Sequence, residues 1–233
     1  VGDLNLDNKG AVGSNSMVLE VDSQRNAIKD VAIGKGIILG TSAANSVVIG
    51  NSANTNTTGN VAIGYSANAQ GVGSVVVGSL SNTNAQSAVI GHMSFGQVNS
   101  TNLGYLTSSF DGGVAIGSYS QANAVNAIAM GMQANAAQSN AIALGHKAFA
   151  NTNSSMALGT AAKATTNFSV ALGAGSATSA GTPTANTMID GKVYTFAGDR
   201  VVGVVSVGTV GGERQIQNVS AGRVSGSSTD AIN

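Results

Sequence analysis

The chain has 233 residues, of which 9% are charged and 42% hydrophobic, and its acids and bases balance to a net charge of zero. This balance excludes a disordered chain, and it removes any general electrostatic reason to expect nucleic acid or an anionic membrane as a partner. Aromatic residues make up only 4%, which argues against a core of bulky side chains. Cys is absent, which excludes disulfides and thiolate metal sites.

The segment 1–30 precedes a long series of repeats. It contains one short apolar stretch, Met17–Val21, and we predict that residues 1–30 cap the open first coil, because an exposed strand edge invites aggregation. No apolar run approaches the ~20 residues that a membrane helix needs, so direct membrane insertion by this chain is not expected. No signal peptide precedes Val1, which favours either a cytosolic protein or a piece of a longer precursor.

A glycine recurs at a nearly constant interval through the middle of the chain. A fixed period of this kind is typical of solenoids, in which each repeat forms one coil and like positions stack into parallel sheets. Two strands of about five residues and two turns of about two would account for a repeat of this length. The aligned glycines predict about eleven coils: Gly34, Gly50, Gly64, Gly78, Gly91, Gly104, Gly117, Gly131, Gly145, Gly159 and Gly173.

Each glycine is preceded by three apolar residues. Alternate strand positions share a face, so the large residues one and three positions before the glycine are predicted to form the coil core, facing small residues on the opposite strand. These core positions include Val61, Ile63, Val114, Ile116, Leu144, Leu158 and Leu172.

The residue between these two large positions is also apolar, and a strand that is apolar on both faces is buried on both faces. No helical pattern in the chain could cover it, so a second copy of the chain is the economical cover, although periodicity alone does not fix the number of chains. The predicted chain–chain interface contains Ala62, Ala115, Ala129, Ala143, Ala157 and Ala171. The opposite strand is expected to face water through Asn and Gln side chains.

Two other solenoids are rejected. The three-sided hexapeptide helix of acyltransferases needs three hexapeptides per coil, which is longer than any interval between the aligned glycines. Calcium-binding nonapeptide repeats need an Asp in each turn, whereas residues 31–189 contain a single acid, Asp111. The segment after the repeats is different again: residues 179–212 hold the only Pro and are predicted to be an irregular connector with short strands at 192–197 and 201–207.

No constellation in the sequence indicates an enzyme, a metal site or a cofactor site. His92 and His146 lie four repeats apart, roughly 19 Å at the spacing of parallel strands, so one ion cannot join them within a chain. Asp111 has no partner carboxylate and precedes two glycines, which is typical of a turn. The candidate ligand anchors are Phe149, Tyr119, Tyr65 and Phe95, although isolated exposed aromatics are common.

Several segments resemble the YadA-like trimeric autotransporter adhesins. "NSVVIGNSA" (45–53), "NVAIGYSANA" (60–69) and "FSVALGAGS" (168–176) are similar to the head repeats of that family, and "ERQIQNVSAGRVSGSSTDAIN" (213–233) is similar to its neck. The resemblance covers residues 31–178 and 213–233. It implies an all-β, left-handed parallel β-roll solenoid that forms a homotrimer on the surface of a Gram-negative bacterium.

The family resemblance also assigns roles to residues. In the family an NSVAIGxxS run is associated with collagen binding. The candidate matrix-binding motif in this chain is Asn45, Ser46, Val47, Val48, Ile49 and Gly50, and Ala53 stands where the final Ser would be. The neck residues are Arg214, Gln215, Ile216, Asn218, Arg223 and Asp230, and the two arginines are expected to tie the chains together.

The resemblance further implies a coiled-coil stalk and a membrane-anchoring barrel after Asn233. Ser228, Thr229 and Asp230 are the candidates for capping the first stalk helix.

Two functions are compatible with these features. The first is a non-enzymatic adhesin head that binds collagen, fibronectin, laminin or other surfaces. The second is a spacer that projects another binding domain without a ligand of its own. A β-helical enzyme would need a cleft with clustered ionisable groups.

Overall fold

The computed structural model describes residues 17–21 and 30–231, with only the backbone for the first of these ranges. Within these ranges the chain forms 25 β-strands and no helix, so no described segment is a helix that could cross a membrane. The strands belong to two long parallel sheets and one hairpin.

Sheet A has thirteen parallel strands within the described residues, and strands that are neighbours in the sheet follow one another from coil to coil. Its strands are β1 Met17–Val21, β2 Val31–Lys35, β4 Val47–Ile49, β6 Val61–Ile63, β8 Val75–Val77, β10 Ala88–Ile90, β12 Thr101–Leu103, β14 Val114–Ile116, β16 Ile128–Met130, β18 Ile142–Leu144, β20 Met156–Leu158, β22 Val170–Leu172 and β25 Val205–Ser206.

Sheet B has ten parallel strands within the same ranges. They are β3 Ile38–Leu39, β5 Asn54–Thr55, β7 Asn68–Ala69, β9 Asn82–Thr83, β11 Phe95–Gly96, β13 Ser108–Ser109, β15 Gln121–Ala122, β17 Asn135–Ala136, β19 Phe149–Ala150 and β21 Lys163–Ala164. The hairpin pairs β23 Asn186–Ile189 with β24 Lys192–Thr195.

The predicted parallel β-solenoid is confirmed. Ten coils place one strand in each long sheet, and β22 begins a further coil. The strands are shorter than predicted, at three residues in most of sheet A and two in sheet B, because left-handed residues interrupt the extended backbone at both corners of a coil. In one coil these are Ser66, at φ 51°, and Gly73, at φ 68°.

The recurrent glycine is required by the stacking of the coils. At Gly91 φ is 152°, a backbone conformation that is essentially confined to glycine. A Cβ there would lie 1.7 Å from the carbonyl oxygen of Gly104 in the next coil. At the equivalent glycines from Gly34 to Gly159 a Cβ would lie 1.7–3.0 Å from a backbone atom of the next coil, so each coil rests on a side-chain-free corner of the next.

The predicted inward and outward faces of sheet A are reversed in the structure. The central residue of each strand points into the coil and has 0% exposure, so the residues predicted for the chain–chain interface line the core instead: Ala62, Ala115, Ala129, Ala143, Ala157 and Ala171. The residues predicted for the core lie on the outer face and are half-buried or exposed: Val61, Ile63, Val114, Ile116, Leu144, Leu158 and Leu172.

The reversal follows from the width of the coil. The inward residues of sheet B are small, as predicted, and include Ala67, Ala69, Ala148 and Ala150, all with 0% exposure. Small residues on both walls allow the two sheets to approach closely and fill the layer without voids. The first coil buries Leu39 of β3 and Ile37 just before it, but no described residue larger than Val, Thr or Asn points inward in the later coils, so their Leu, Ile and Met side chains face outward.

The middle coils have a polar interior in which most buried side chains have internal partners; Thr107 Oγ1 and Ser120 Oγ have none among the described residues. Ser94 Oγ donates to the Gly104 carbonyl over 2.7 Å and accepts the backbone N–H of Thr107 over 3.2 Å. Asn102, at the central strand position of β12, donates to the Phe95 carbonyl and accepts from the Ser109 hydroxyl. Because these buried groups have partners, the coils tolerate Ser, Thr and Asn where most other coils have Ala.

Sheet A continues beyond the repeats at both ends. β1 pairs in register with β2, from Met17 with Val31 to Val21 with Lys35, so a further strand lies over the first coil. The rest of residues 1–29 lies outside the described part of the chain, and the cap over residues 1–30 stays a prediction. At the other end, β25 pairs with β22 inside the predicted connector.

Candidate binding surfaces

The outer face of sheet A is an apolar stripe along the length of the solenoid. Its side chains stack in register, as in Ile142 over Met156 and Leu144 over Leu158. Several are 39–47% exposed in the single chain: Ile90, Leu103, Met130 and Leu172. An exposed apolar face that runs along ten coils is typical of a surface that another protein chain covers.

The outer face of sheet B is rich in amides, as predicted. Asn54, Asn68 and Asn82 are in register on three successive coils, and Gln121 is in register with Asn135 further along. Asn135 donates to Gln121 over 3.5 Å and accepts from Asn123 over 3.2 Å. The face therefore offers recurring neutral polar groups at the spacing of parallel strands, about 4.8 Å. At Asn54, Asn68 and Asn82 these are the amide N–H groups, since their Oδ1 atoms are buried.

Three aromatic rings, which we call the aromatic corner, occupy successive turns after the repeat glycines. His92 stacks on Tyr105 with ring centroids 5.6 Å apart and an interplanar angle of 6°, and Tyr105 meets Tyr119 edge-on at 5.2 Å. A hydrogen bond with Tyr105, and to a lesser extent desolvation, raises the pKa of the Tyr119 phenol. All three side chains are exposed.

Sequence reasoning singled out Tyr119 but missed its association with Tyr105 and His92. The sequence feature that could have predicted this association is the equal length of the two coils. The interval from Gly91 to Gly104 equals that from Gly104 to Gly117, so His92 and Tyr105, each directly after its glycine, occupy equivalent turn positions on adjacent coils.

The candidate matrix-binding motif is divided between surfaces. Asn45 is exposed in a turn at φ 55°, but Ser46 and Val48 are buried inside the coil. Val47 and Ile49 lie on the apolar outer face of sheet A, and Gly50 is half-buried at the corner. A ligand on a closed coil would therefore reach Asn45 but not the buried residues of the motif.

The neck residues form two contacts within one chain. Arg214 Nη1 donates to Ser176 Oγ over 2.9 Å and to the Val207 carbonyl over 2.7 Å, which fastens the start of the neck to the last coil. Arg223 makes a bidentate pair with Asp230, at 2.7 and 3.0 Å. The side chain and then the backbone N–H of Arg223 lower the pKa of Asp230.

The other predicted neck residues have no such role in the single chain. Gln215 and Ile216 are exposed, and Asn218 adopts a left-handed conformation at φ 59°. Asp230 pairs with Arg223, while Ser228 Oγ accepts the Asp230 N–H over 3.2 Å. No helix begins within the described residues, and residues 232–233 of the predicted helix start lie outside them.

Replacing Arg214 by Ala is expected to loosen the junction between neck and head. Hydrogen bonds from a charged donor are stronger than neutral ones, and we expect about tenfold faster amide exchange over residues 205–214. Hydrogen–deuterium exchange measures this, with Arg223→Ala as the matched control, since Arg223 contacts Asp230 within the neck. Equal exchange in the two variants would contradict a role for Arg214 at this junction.

The ionisable residues named in the sequence analysis are dispersed. His92 and Asp111 are exposed, and His146 is half-buried four coils from His92. Within residues 30–231, no three His, Cys, Asp or Glu residues lie close enough together to hold a metal ion. The larger cavity described, about 530 Å³, lies between the last coil and the neck and is lined by Glu213 and Arg214 among others.

Comparison with known proteins identifies the repeats. The YadA head domain repeat matches residues 61–81, 111–134, 122–148, 136–160 and 153–176. These segments of the solenoid carry YadA head domain repeats. The family resemblance predicted from the sequence is thereby confirmed.

The chain is similar to a curated adhesin and to solved structures. It is 57% identical to autotransporter adhesin BtaE of Brucella suis biovar 1 (strain 1330) over 60 residues, which are 26% of this chain and 8% of BtaE. The collagen-binding domain of Yersinia adhesin YadA matches it with a TM-score of 0.50 and 23% identity, covering 82% of each chain. A C-terminal YadA-like domain from Burkholderia pseudomallei is 36% identical, with a TM-score of 0.29 and coverage of 48% of this chain and 39% of that chain.

Proposed function

We propose that this chain is the head of a non-enzymatic adhesin that acts as a homotrimer on the surface of a Gram-negative bacterium. The observation that carries the proposal is the pair of contrasting outer faces. Sheet A presents an in-register apolar stripe, and sheet B presents neutral amides. If contacts between chains cover the outer face of sheet A, the outer face of sheet B still faces solvent on every protomer.

The apolar stripe supports assembly because its side chains are large and exposed in a single chain. Leu103 and Leu172 are among them, and burying such side chains contributes about 1.5–3 kcal/mol each. Three copies around an axis would place these faces against one another, as the head family implies. In that arrangement Arg214 and Arg223 lie where the wide head narrows to the neck, where contacts between chains would add to those seen within one chain.

The assembly is tested by light scattering on the purified chain. A trimer is expected, and a stable monomer would contradict the proposed cover for sheet A. Adhesion of the same preparation to collagen, fibronectin, laminin and abiotic surfaces then tests the role. A folded trimer that binds none of these would favour the spacer function instead.

The amide face supports binding by many weak contacts. Its donors and acceptors recur from coil to coil and would be multiplied by three chains, so avidity rather than one deep pocket would give the affinity. Few ion pairs are available, because Lys35, Asp111, Lys147 and Lys163 are the only charged residues between Val31 and Ile189. Binding through this face should therefore depend weakly on salt.

Single substitutions on the amide face are expected to weaken adhesion little, and combined ones much more. Asn68→Ala or Asn135→Ala should each reduce bound protein less than about twofold. Alanine at all five of Asn54, Asn68, Asn82, Gln121 and Asn135 should reduce it more than about tenfold, because avidity multiplies small losses. The measurement is adhesion to a matrix-coated surface at low and high salt, with circular dichroism as the folding control. Complete loss from one substitution, or a steep fall with salt, would contradict distributed binding.

A further inference from the structure

The aromatic corner adjoins a run of large side chains that the coil does not require, and Tyr119 belongs to both. The residue two positions after the glycine adopts a left-handed conformation, which bulky side chains disfavour. At this position seven coils have Gly, Ser, Gln, Lys or Ala, whereas four successive coils have large side chains: Leu80, Met93, Leu106 and Tyr119, at φ 51–61°. Leu80, Met93 and Tyr119 are also exposed, so packing in the coil does not explain their size.

Part of this segment lies between matched copies of the family repeat, although Leu80 and Tyr119 fall inside them. The YadA head repeat matches residues 61–81 and resumes at residue 111, and His92 and Tyr105 fall between the two matches. Phe95 and Phe110 also lie in this gap and are 36% and 43% exposed on the adjoining outer face of sheet B. With Tyr105 and Tyr119 they make up four of the nine Phe and Tyr residues of the chain, concentrated between residues 95 and 119.

The chemistry of the surrounding surface is neutral and amide-rich. Between Lys35 and Lys147 the only charged residue is Asp111, so an anionic or cationic ligand would find little complementary charge. Gln97 and Gln121 lie on the neighbouring face of the coils that carry the aromatic corner. An amide both donates and accepts hydrogen bonds, as a sugar hydroxyl does, while aromatic side chains supply rigid apolar contact area.

We propose that the aromatic corner binds neutral glycans, with a sugar ring packed against the exposed surface that Tyr105 and Tyr119 share and its hydroxyls bonded by neighbouring amides. The proposal deepens the adhesive role, on which it rests, by naming a ligand class for one discrete site. A second copy of the chain fits the corner less well. The corner extends over three coils, about 10 Å, and includes polar ring atoms, whereas a stable interface buries about 800 Å² on each partner.

The test measures binding of three neutral oligosaccharides, cellohexaose, maltohexaose and chitohexaose, to the full chain by saturation-transfer NMR and titration calorimetry. At least one should bind, and Tyr105→Ser should weaken that binding tenfold or more. Tyr65→Ser is the matched control, because Tyr65 occupies the same turn position on another coil and is also exposed. It should change the affinity less than twofold. Tyr119→Asn is a second variant, since Asn tolerates the left-handed turn, and it replaces Tyr105→Ser if that variant does not fold.

The outcomes separate this proposal from the adhesive role. Absence of binding to every oligosaccharide, or equal loss in the Tyr65 and Tyr105 variants, overturns the glycan site. Binding of a collagen-like proline-rich peptide that Tyr105→Ser abolishes, without glycan binding, overturns the ligand class. In each case adhesion through the amide face is measured on the same trimer. If the wild-type trimer adheres, the proposed function stands. If the wild-type trimer does not adhere, the proposed function itself is contradicted.

Discussion

Replacing Gly91 by Ala is expected to unfold the neighbouring coils. The new Cβ would lie 1.7 Å from the Gly104 carbonyl oxygen, and the Gly104 carbonyl carbon would be only 2.7 Å away. The Gly104 carbonyl accepts a hydrogen bond from Ser94 Oγ and the Gly104 N–H donates to the Ile90 carbonyl, so these backbone atoms cannot move without breaking hydrogen bonds between the two coils. With the strain at φ 152° added, we expect a loss of about 4 kcal/mol or more in the free energy of unfolding.

Gly73→Ala is the matched control for this experiment. Gly73 also has a positive φ, 68°, but a Cβ there meets no atom within 4 Å. Only the left-handed backbone is then penalised, at about 1–2 kcal/mol. Thermal unfolding followed by circular dichroism compares the two variants. Similar midpoints would show that conformation alone, rather than the close approach of coils, explains the recurrent glycine.

Substitutions at the adjacent β18 residues Ala143 and Leu144 are expected to have different effects, the first on folding of the coil and the second on assembly of the chains. Ala143 has 0% exposure inside the coil, so Ala143→Asp would bury a charge in a layer that is filled by small residues. Burying an unpaired polar or charged group costs several kcal/mol, and the coil should unfold. Leu144 lies on the outer face of sheet A, so Leu144→Asp should leave the coil folded and dissociate the proposed trimer.

Two measurements distinguish these outcomes. Far-UV circular dichroism should fall for Ala143→Asp and remain near the wild-type signal for Leu144→Asp. Light scattering should report a smaller species for Leu144→Asp in the same buffer. If Leu144→Asp unfolds the protein and Ala143→Asp leaves it folded, Leu144 faces the core and Ala143 lies on the outer face, which would contradict the proposed orientation of sheet A. A folded Leu144→Asp protein that is still a trimer would move the interface away from sheet A.

The reversed faces of sheet A show how a correct pattern led to a wrong assignment. The alternation of Val61, Ala62 and Ile63 gives two faces but does not say which one points inward. The sequence contained a further signal. The residue two positions before each central Ala is also small, as in Asn60 before Ala62 and Ala141 before Ala143. Small residues at matching positions on both strands indicate a narrow coil, in which large side chains have no room.

The aromatic corner could not be predicted from residue types alone. The equal intervals between glycines place His92 and Tyr105 on adjacent coils, but their 6° stacking depends on the turn that follows each glycine. The neck shows the same limit. Its similarity to the family predicted that Arg214 and Arg223 are structural, but no pattern identifies Ser176 as a partner 38 residues before Arg214.

The sequence by itself determined the period, the parallel stacking, the small residues of sheet B and the family, because each is repeated along the chain and repetition is visible without coordinates. The tertiary structure decided which face of sheet A is the core, where the corners interrupt the strands and which side chains meet between coils. These depend on the separation of the two sheets and on left-handed turns such as that at Ser66, which are set by the packing of whole coils rather than by any one repeat.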